Sequence, residues 1–562
     1  MTTATRGAAI APGQGRSLRR TAPLALLPVL VGFLAVEGYG PVLRAAVADA
    51  PGLVTPAVIA LAFLCAACAP LRYAAEAGPA RLLTAGLGVA AGLYALALGP
   101  EVAVAAAPPN EARAAAIGPG LGIAVLLAAP MGLLGLWRPG FAAFPFVAIA
   151  LHKEMTRAVS GATHLGSSDY LPLVEVGLFL AVGLCALALA RRLVGRAENG
   201  RAEALDAEWA GSLLFAAAIG AHLGNYFMSG VAKVSLDGGA LSWVLENPTA
   251  SLMLAGYNLG TAPLSAFPAL FDALHAAFGW VEAPVNAVTL LAQLLCALAF
   301  LHRRLLIGFA LFFDLMHITI FALTGALFVT WIVLNTLIVA SAARLPERGF
   351  PPSAMVVGVL VTLLGHQLFW NARLGWYDGR QVRHAYFTAI DAEGAEHRVP
   401  HSFFRDASYL LLGRQFGYLE HARPSAHAPT SSWGQIGIHV EPPEAYGLTN
   451  QEAMRRAKAC AAPSPAPEAP PDYDAAEVAA FVRGQHARAL AYRNAGRANR
   501  YDLYPHHHLA MPFLFRDFGA LDPREIVAYR YVVETVCLDA TPEGLDRRVL
   551  VRTPSERIPV DG

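Results

Sequence analysis

Long apolar runs separated by short polar loops dominate residues 23–371. They lie near 23–45, 53–71, 82–99, 117–137, 171–190, 209–232, 283–301, 305–324, 325–343 and 353–371. A helix that crosses a bilayer needs about 20 mostly apolar residues, so the pattern predicts ten spanning helices. A shorter run, "GFAAFPFVAIALH" at 140–152, predicts either an eleventh span or a re-entrant piece. The stretch 250–280 is apolar but broken by Pro263 and Pro268, which predicts interfacial or re-entrant structure.

From residue 374 the pattern changes. "HAYFTAI" and "EHRVPHSFF" alternate apolar with polar positions on either side of the turn-like "DAEG" at 391–394, a hairpin signal. "AAPSPAPEAPPDYD" at 461–474 reads as an extended proline-rich linker. "DAAEVAAFVRGQHARALAYRNAG" then predicts an amphipathic helix, and "EIVAYRYVVETVCLDA" a strand. The expected fold is mostly α: a polytopic transmembrane helical bundle of about ten or eleven spans with a C-terminal extracytoplasmic α+β or β-rich domain. Its parts are an N-terminal arm (1–21), the helical region (22–373) and the C-terminal domain (374–562).

Composition agrees. The chain is 56% hydrophobic and only 15% charged, with a mean hydropathy of +0.46, whereas soluble domains carry about a quarter charged residues. A net charge of +1 argues against a nucleic-acid partner. Arginine placement sets orientation, because basic residues accumulate on cytoplasmic loops. Arg6, Arg16, Arg19 and Arg20 put the arm inside, and the arm offers no credible cleavage site. Arg72 with Arg81, Arg191 to Arg201, Arg303 with Arg304, and Arg344 with Arg348 mark further inner loops. Counting 140–152 as a crossing satisfies all of them, and places Lys233 and the C-terminal domain on the outer side. Cys65 and Cys68 sit in an apolar run as small packing residues. Cys460 and Cys537 both fall in the polar tail and could pair if that tail is extracytoplasmic. No cysteine or histidine spacing predicts a metal site. His506, His507 and His508 in "YPHHHLAMPF" are consecutive and would need further ligands from elsewhere.

Ionisable groups inside spans are costly and mark functional sites by default. Glu37 and Glu175 lie close enough to span ends to reach water, and His222 and His366 read as hydrogen-bonded packing histidines. Lys233 stands out in "GNYFMSGVAKV". There Tyr226, Ser229, Gly230 and Lys233 recur at spacings of three and four, on one helical face, and the small residues permit close helix approach. A lysine among apolar walls loses its proton more readily and can act as a base; the alternative is an interfacial anchor. In "FFDLMHITIFALTGALFVTW", Asp314 and His317 are one turn apart, where a carboxylate could orient an imidazole.

The order "YFMSGVAKV", then "LFFDLMHITIFALTGALFVTWIVLN", resembles the vitamin K-dependent γ-glutamyl carboxylase family and its bacterial relatives, the HTTM-domain proteins. That family has a Tyr-Phe-x-x-Gly-x-x-Lys helix that supplies its catalytic lysine, and a later helix with a histidine before Phe-x-x-Gly-x-x-Phe. Lys233, Tyr226 and Gly230 match the first pattern; His317, Phe321, Gly325 and Phe328 fit the second. "GWYDGRQVRHAYFTAIDAEG" resembles the family's stretch after the last span, where a Trp-Asp motif precedes a hairpin, and this brings in Trp376. The likeness runs over residues 20–405. Where the family carries an Asn-His pair, "HLGSSDYLPLVE" offers Ser167, Ser168 and Asp169, with His164 nearest. Residues 406–562 have no counterpart of the family's propeptide-gripping region.

The resemblance implies a multi-pass enzyme of the bacterial plasma membrane, with lipid around it and a peptide or protein as substrate. Its co-substrates would be a reduced quinone similar to vitamin K hydroquinone, O₂ and CO₂, without a metal. Lys233 and His317 would be catalytic, and Tyr226, Ser229, Gly230, Asp314, His164, Asp169 and Trp376 would line the pocket. The alternative is a non-enzymatic membrane protein with a maturation, immunity or transport role.

Overall fold

The computed structural model describes residues 14–99, 110–160, 170–197, 206–407, 447–465, 475–496 and 509–561, with the short pieces 426–427, 431, 433 and 435–436. His164, Ser167, Ser168, Asp169 and His506–His508 lie outside the described residues, as does 466–474 of the expected linker. The chain is mostly helical. In order come α1 (Gln14–Asp49), α2 (Val54–Ala67), α3 (Gly78–Leu98), α4 (Asn110–Leu134), α5 (Pro139–Ala142), α6 (Phe144–Ser160) and α7 (Leu171–Ala197). They are followed by α8 (Ala207–Val234), α9 (Ser242–Glu246), α10 (Ser251–Leu259), α11 (Pro268–Leu295), α12 (Arg303–Thr324), α13 (Val329–Ala342) and α14 (Pro352–Leu364).

Among the described residues six helical stretches are long and apolar enough to cross a membrane: Leu26–Asp49, Ala75–Leu98, Ala112–Leu134, Leu171–Val194, Pro268–Leu301 and Arg303–Thr324. Pro51–Ala67, Val329–Ala342 and Pro352–Gln367 are apolar but shorter. Six of the ten expected runs thus reach this length and composition as single helical stretches among the described residues. Large apolar side chains such as Leu34, Phe63, Leu126 and Leu311 are exposed, an exterior compatible with lipid. The run expected from 283 starts earlier, with Pro268 in the first turn of α11, where a missing N–H costs nothing. The remainder of 250–280 is the short buried helix α10 and a 3₁₀ turn, Pro263–Ala266.

Helix α8 is the axle of the bundle. It packs against α1, α3, α7, α11 and α14 and is buried along nearly its whole length. Asp206 caps it by accepting the Trp209 N–H at 2.9 Å, and Glu208 and Lys233 complement its two ends. Burial on nearly all sides explains how it tolerates so many polar groups: His222, Asn225, Tyr226, Ser229 and Lys233 are all buried within the protein.

Beyond α14 an antiparallel sheet runs in the order β2 (Glu396–Arg398), β1 (Gln381–Asp391), β5 (Ile526–Thr541), β6 (Gly544–Pro554), with β7 (Ile558–Pro559) also on β5. The hairpin expected at 391–394 joins β1 to β2, with Gly394 at φ 86° and the Asp391 carboxylate accepting the Ala395 N–H at 2.7 Å. One face of the sheet carries Phe387, Tyr531 and Val533 against Val478, Phe481 and Val482 of the helix Ala475–Asn494. On the other face Val382, Val536 and Leu538 pack with Met253, Leu254 and Phe271 of α10 and α11, which docks the sheet on the bundle. Cys460 and Cys537 form a disulfide, their Cα atoms 5.7 Å apart. Ser464–Pro465, read as linker, instead pairs as β4 with β3 (Ala426–His427).

Candidate functional site at the end of helix α8

The structure divides the sequence-derived residues between two levels of α8. At the deeper level Tyr226 stacks on Phe313 of α12, ring centroids 3.6 Å apart and planes 2° apart. Its hydroxyl accepts the Asn335 amide at 2.9 Å, and the Asn335 carbonyl meets His222 Nε2 at 2.8 Å. His317 lies against Phe328 at 4.8 Å and near Tyr226 at 5.8 Å, with Trp331 closing the group. Asp314 accepts the Thr336 hydroxyl at 3.1 Å, a partner across to α13. His222 thus has the hydrogen-bonded packing role expected of it. Glu175 does not reach water: it is buried and accepts the Trp370 N–H at 2.7 Å.

Lys233 stands seven residues further along, about 10 Å at the rise of an α-helix, and has a different set of neighbours. It is 6% exposed. Its Nζ donates to the Leu374 carbonyl at 2.5 Å and lies 3.4 Å from that of Ser229. It also sits over the Trp243 ring, 4.9 Å from the centroid. Lys233 makes no ion pair with a carboxylate among the described residues. Ser229 anchors the same loop from below, accepting the Leu374 N–H at 3.3 Å and facing the Ala372 carbonyl at 3.1 Å. The loop can lie this close because residue 375 is glycine: a Cβ there would come within 2.5 Å of the Ala232 carbonyl carbon. Gly230 serves α11 in the same way, since a Cβ would stand 3.0 Å from Leu294.

The loop also delivers a buried carboxylate that the sequence did not flag. Asp378 accepts the Asn247 amide at 2.8 Å and the Trp376 indole N–H at 2.9 Å, while its own N–H donates to the Asn247 carbonyl oxygen Oδ1 at 2.7 Å. Asn286 holds Asn247 in turn, donating to its backbone carbonyl at 3.2 Å and accepting the Thr249 hydroxyl at 2.7 Å. Burial pushes the Asp378 carboxyl up to about 7, against the opposing pull of its two donors and of the Lys233 charge. The only advance signal for Asp378 was the Trp-Tyr-Asp wording itself; Asn247 and Asn286 are unremarkable in sequence.

Chemically, the site offers an amine held among carbonyls and an indole face, with a buried acid nearby. The ring cluster of Tyr226, Phe313, His317 and Trp331 is a separate group deeper in the bundle. No group of three or more metal-ligating side chains occurs among the described residues. The chain matches no family model, no curated protein and no solved structure.

Proposed function

We propose that the chain is a membrane-embedded oxygenase or carboxylase that acts with a reduced quinone, with Lys233 as the base. The observation that supports this most is a buried lysine with no ion-paired carboxylate among the described residues. An ammonium is costly in such surroundings, and a proton can be accepted only by the free amine. Oxygenation of the hydroquinone would supply a base strong enough to remove a proton from carbon, for carboxylation by CO₂ or related chemistry. In this reading the Lys233 amine takes the hydroxyl proton, and Trp243 and the 374–378 loop keep water from it. Trp376 and Asn247 hold Asp378 ready to share the charge left on Lys233. Tyr226 and His317 set the polarity of the aromatic level below. In this topology the arm is cytoplasmic and the sheet domain extracytoplasmic, and the Cys460–Cys537 disulfide favours an oxidising compartment for that domain.

A second reading takes its support from the hydrogen bond to Leu374: Lys233 is a staple that fixes the loop to α8 in a protein without catalytic activity. One experiment separates the two. Purified protein and the variant Lys233→Ala, in detergent, are incubated with a reduced naphthoquinone and O₂, with epoxide followed by chromatography and melting followed in parallel. Epoxide from the wild type alone, with both proteins folded, is the expected result. No epoxide from a folded wild type would leave the staple.

A further inference from the structure

The junction between the sheet and α10 holds a second polar centre, unrelated to Lys233. A small pocket there is lined by Leu259, His384, Tyr386, Arg398, His401 and Phe515, among others. Four arginines crowd this face of the sheet against two glutamates. Arg547 and Arg552 engage Glu534, which is 3% exposed in its side chain, and Arg530 and Arg552 engage Glu396. Arg398 is left over. Its Nη2 donates to the Asn258 carbonyl at 2.5 Å, and its guanidinium lies over the Tyr386 and Phe515 rings at 5.3 and 5.6 Å. Its Nε is buried without a partner. It makes no ion pair among the described residues.

Hydrogen-bond direction sharpens the imbalance. Arg547 Nε donates to Asn258 Oδ1 at 2.8 Å, which fixes the amide so that its NH₂ faces His384 Nδ1 at 3.3 Å. Arg398 Nη2, another donor, faces His384 Nε2 at the same 3.3 Å. A neutral imidazole accepts at only one nitrogen. One of the two contacts therefore sets donor against donor, and an acceptor is missing. Burial, then the charges of Arg398, Arg547 and His401, holds His384 well below its ordinary value, and a proton would only make both ring nitrogens donors and add a second conflict. A partly buried guanidinium without an ion pair among the described residues, its Nε buried and unpartnered beside surplus N–H groups, is what an oxyanion neutralises, and the guanidinium fork matches its oxygens.

We propose that this pocket binds a small oxyanion of the phosphate class, held by Arg398 with His384 and walled by Tyr386 and Phe515. The anion arrives either free or as the headgroup of a lipid. The proposal does not rest on the quinone reading, and its test reads binding rather than turnover. The full chain in detergent is melted against increasing inorganic phosphate, with chloride at equal ionic strength as control, and against short-chain phosphatidate with phosphatidylcholine as control. A saturable rise in melting temperature with phosphate or phosphatidate is expected. Arg398→Lys, which keeps the charge but loses the fork, should weaken the midpoint at least tenfold, and Arg398→Met should abolish it. A phosphatidate midpoint far below that of phosphate assigns the headgroup; similar midpoints assign the free ion. No saturable rise in the wild type, or an unchanged midpoint in Arg398→Lys, overturns the site.

Discussion

Helix α8 and the C-terminal sheet both bury polar side chains, and they neutralise them in opposite ways. Around α8 the partners are neutral: Lys233 donates to carbonyls, and His222 and Tyr226 share the Asn335 amide. On the sheet, charge meets charge, with Glu534 held between Arg547, Arg552 and the Tyr386 hydroxyl. The difference follows from what surrounds each region. A bundle wrapped in apolar helices has no water to share the cost of an ion, so amides and carbonyls are the cheaper partners. The sheet is open along one edge, where long arginines reach a buried carboxylate while their stems stay half-exposed. Arg398 breaks the pattern of its own region by having no carboxylate partner among the described residues, and both it and Lys233 lie where ligand chemistry is proposed.

The comparison is tested most severely at Glu534. Glu534→Ala takes the buried carboxylate from two guanidinium groups, leaving Arg552 with Glu396 and Arg547 with Asn258, and should cost about 3–5 kcal/mol, read as a loss of melting temperature in detergent. An effect below 1 kcal/mol would mean that the sheet does not depend on paired charge. Next is the Cys460–Cys537 disulfide. Reduction, or Cys460→Ser with Cys537→Ser, should remove about 2–4 kcal/mol from the sheet domain, leaving the bundle's helical signal intact. In the bundle, Asn335→Ala leaves the Tyr226 hydroxyl and His222 without their shared amide, for about 1–3 kcal/mol; a far smaller loss in Asn335→Asp, which keeps the shape but adds a charge, would show that shape rather than neutrality matters.

The smallest effect is a pH dependence. His384 is depressed in the folded chain, so only the unfolded chain takes up its proton near the usual 6.5 or so. The stabilisation is present above that value and is lost as the pH falls below it, by at most about 2 kcal/mol between pH 7 and 5. His384→Gln should flatten that part of the profile, and an unchanged slope would remove His384 from the buried cationic group.

Much of this was legible in the chain. The hydrophobic runs located the helices, the Asp-Ala-Glu-Gly turn located the β1–β2 hairpin, and the alternating run at 526–541 located β5. The three- and four-residue spacing put Tyr226, Ser229, Gly230 and Lys233 on one face of α8, and they do engage α11, α12 and the 372–374 segment. Lys233 and His317 belong to two levels of the bundle: seven residues of helix separate Lys233 from Tyr226, whose ring lies 5.8 Å from that of His317. Asp378, Asn247 and Asn335 escaped notice because amides and single acids carry no periodic signal, and their partners lie up to 131 residues away.

What the sequence determined by itself is local: where the chain is apolar enough to be helical and buried, where it turns, and which residues share a helix face. These depend on neighbours within a few positions, through periodicity and turn chemistry. How long each apolar helix runs, that α8 is the buried axle, that Gly375 lets a loop reach Lys233, and that Arg398 has no ion pair among the described residues were decided by the tertiary structure. The cost of burying a polar group depends on partners supplied from distant parts of the chain, and only packing brings them within hydrogen-bond reach.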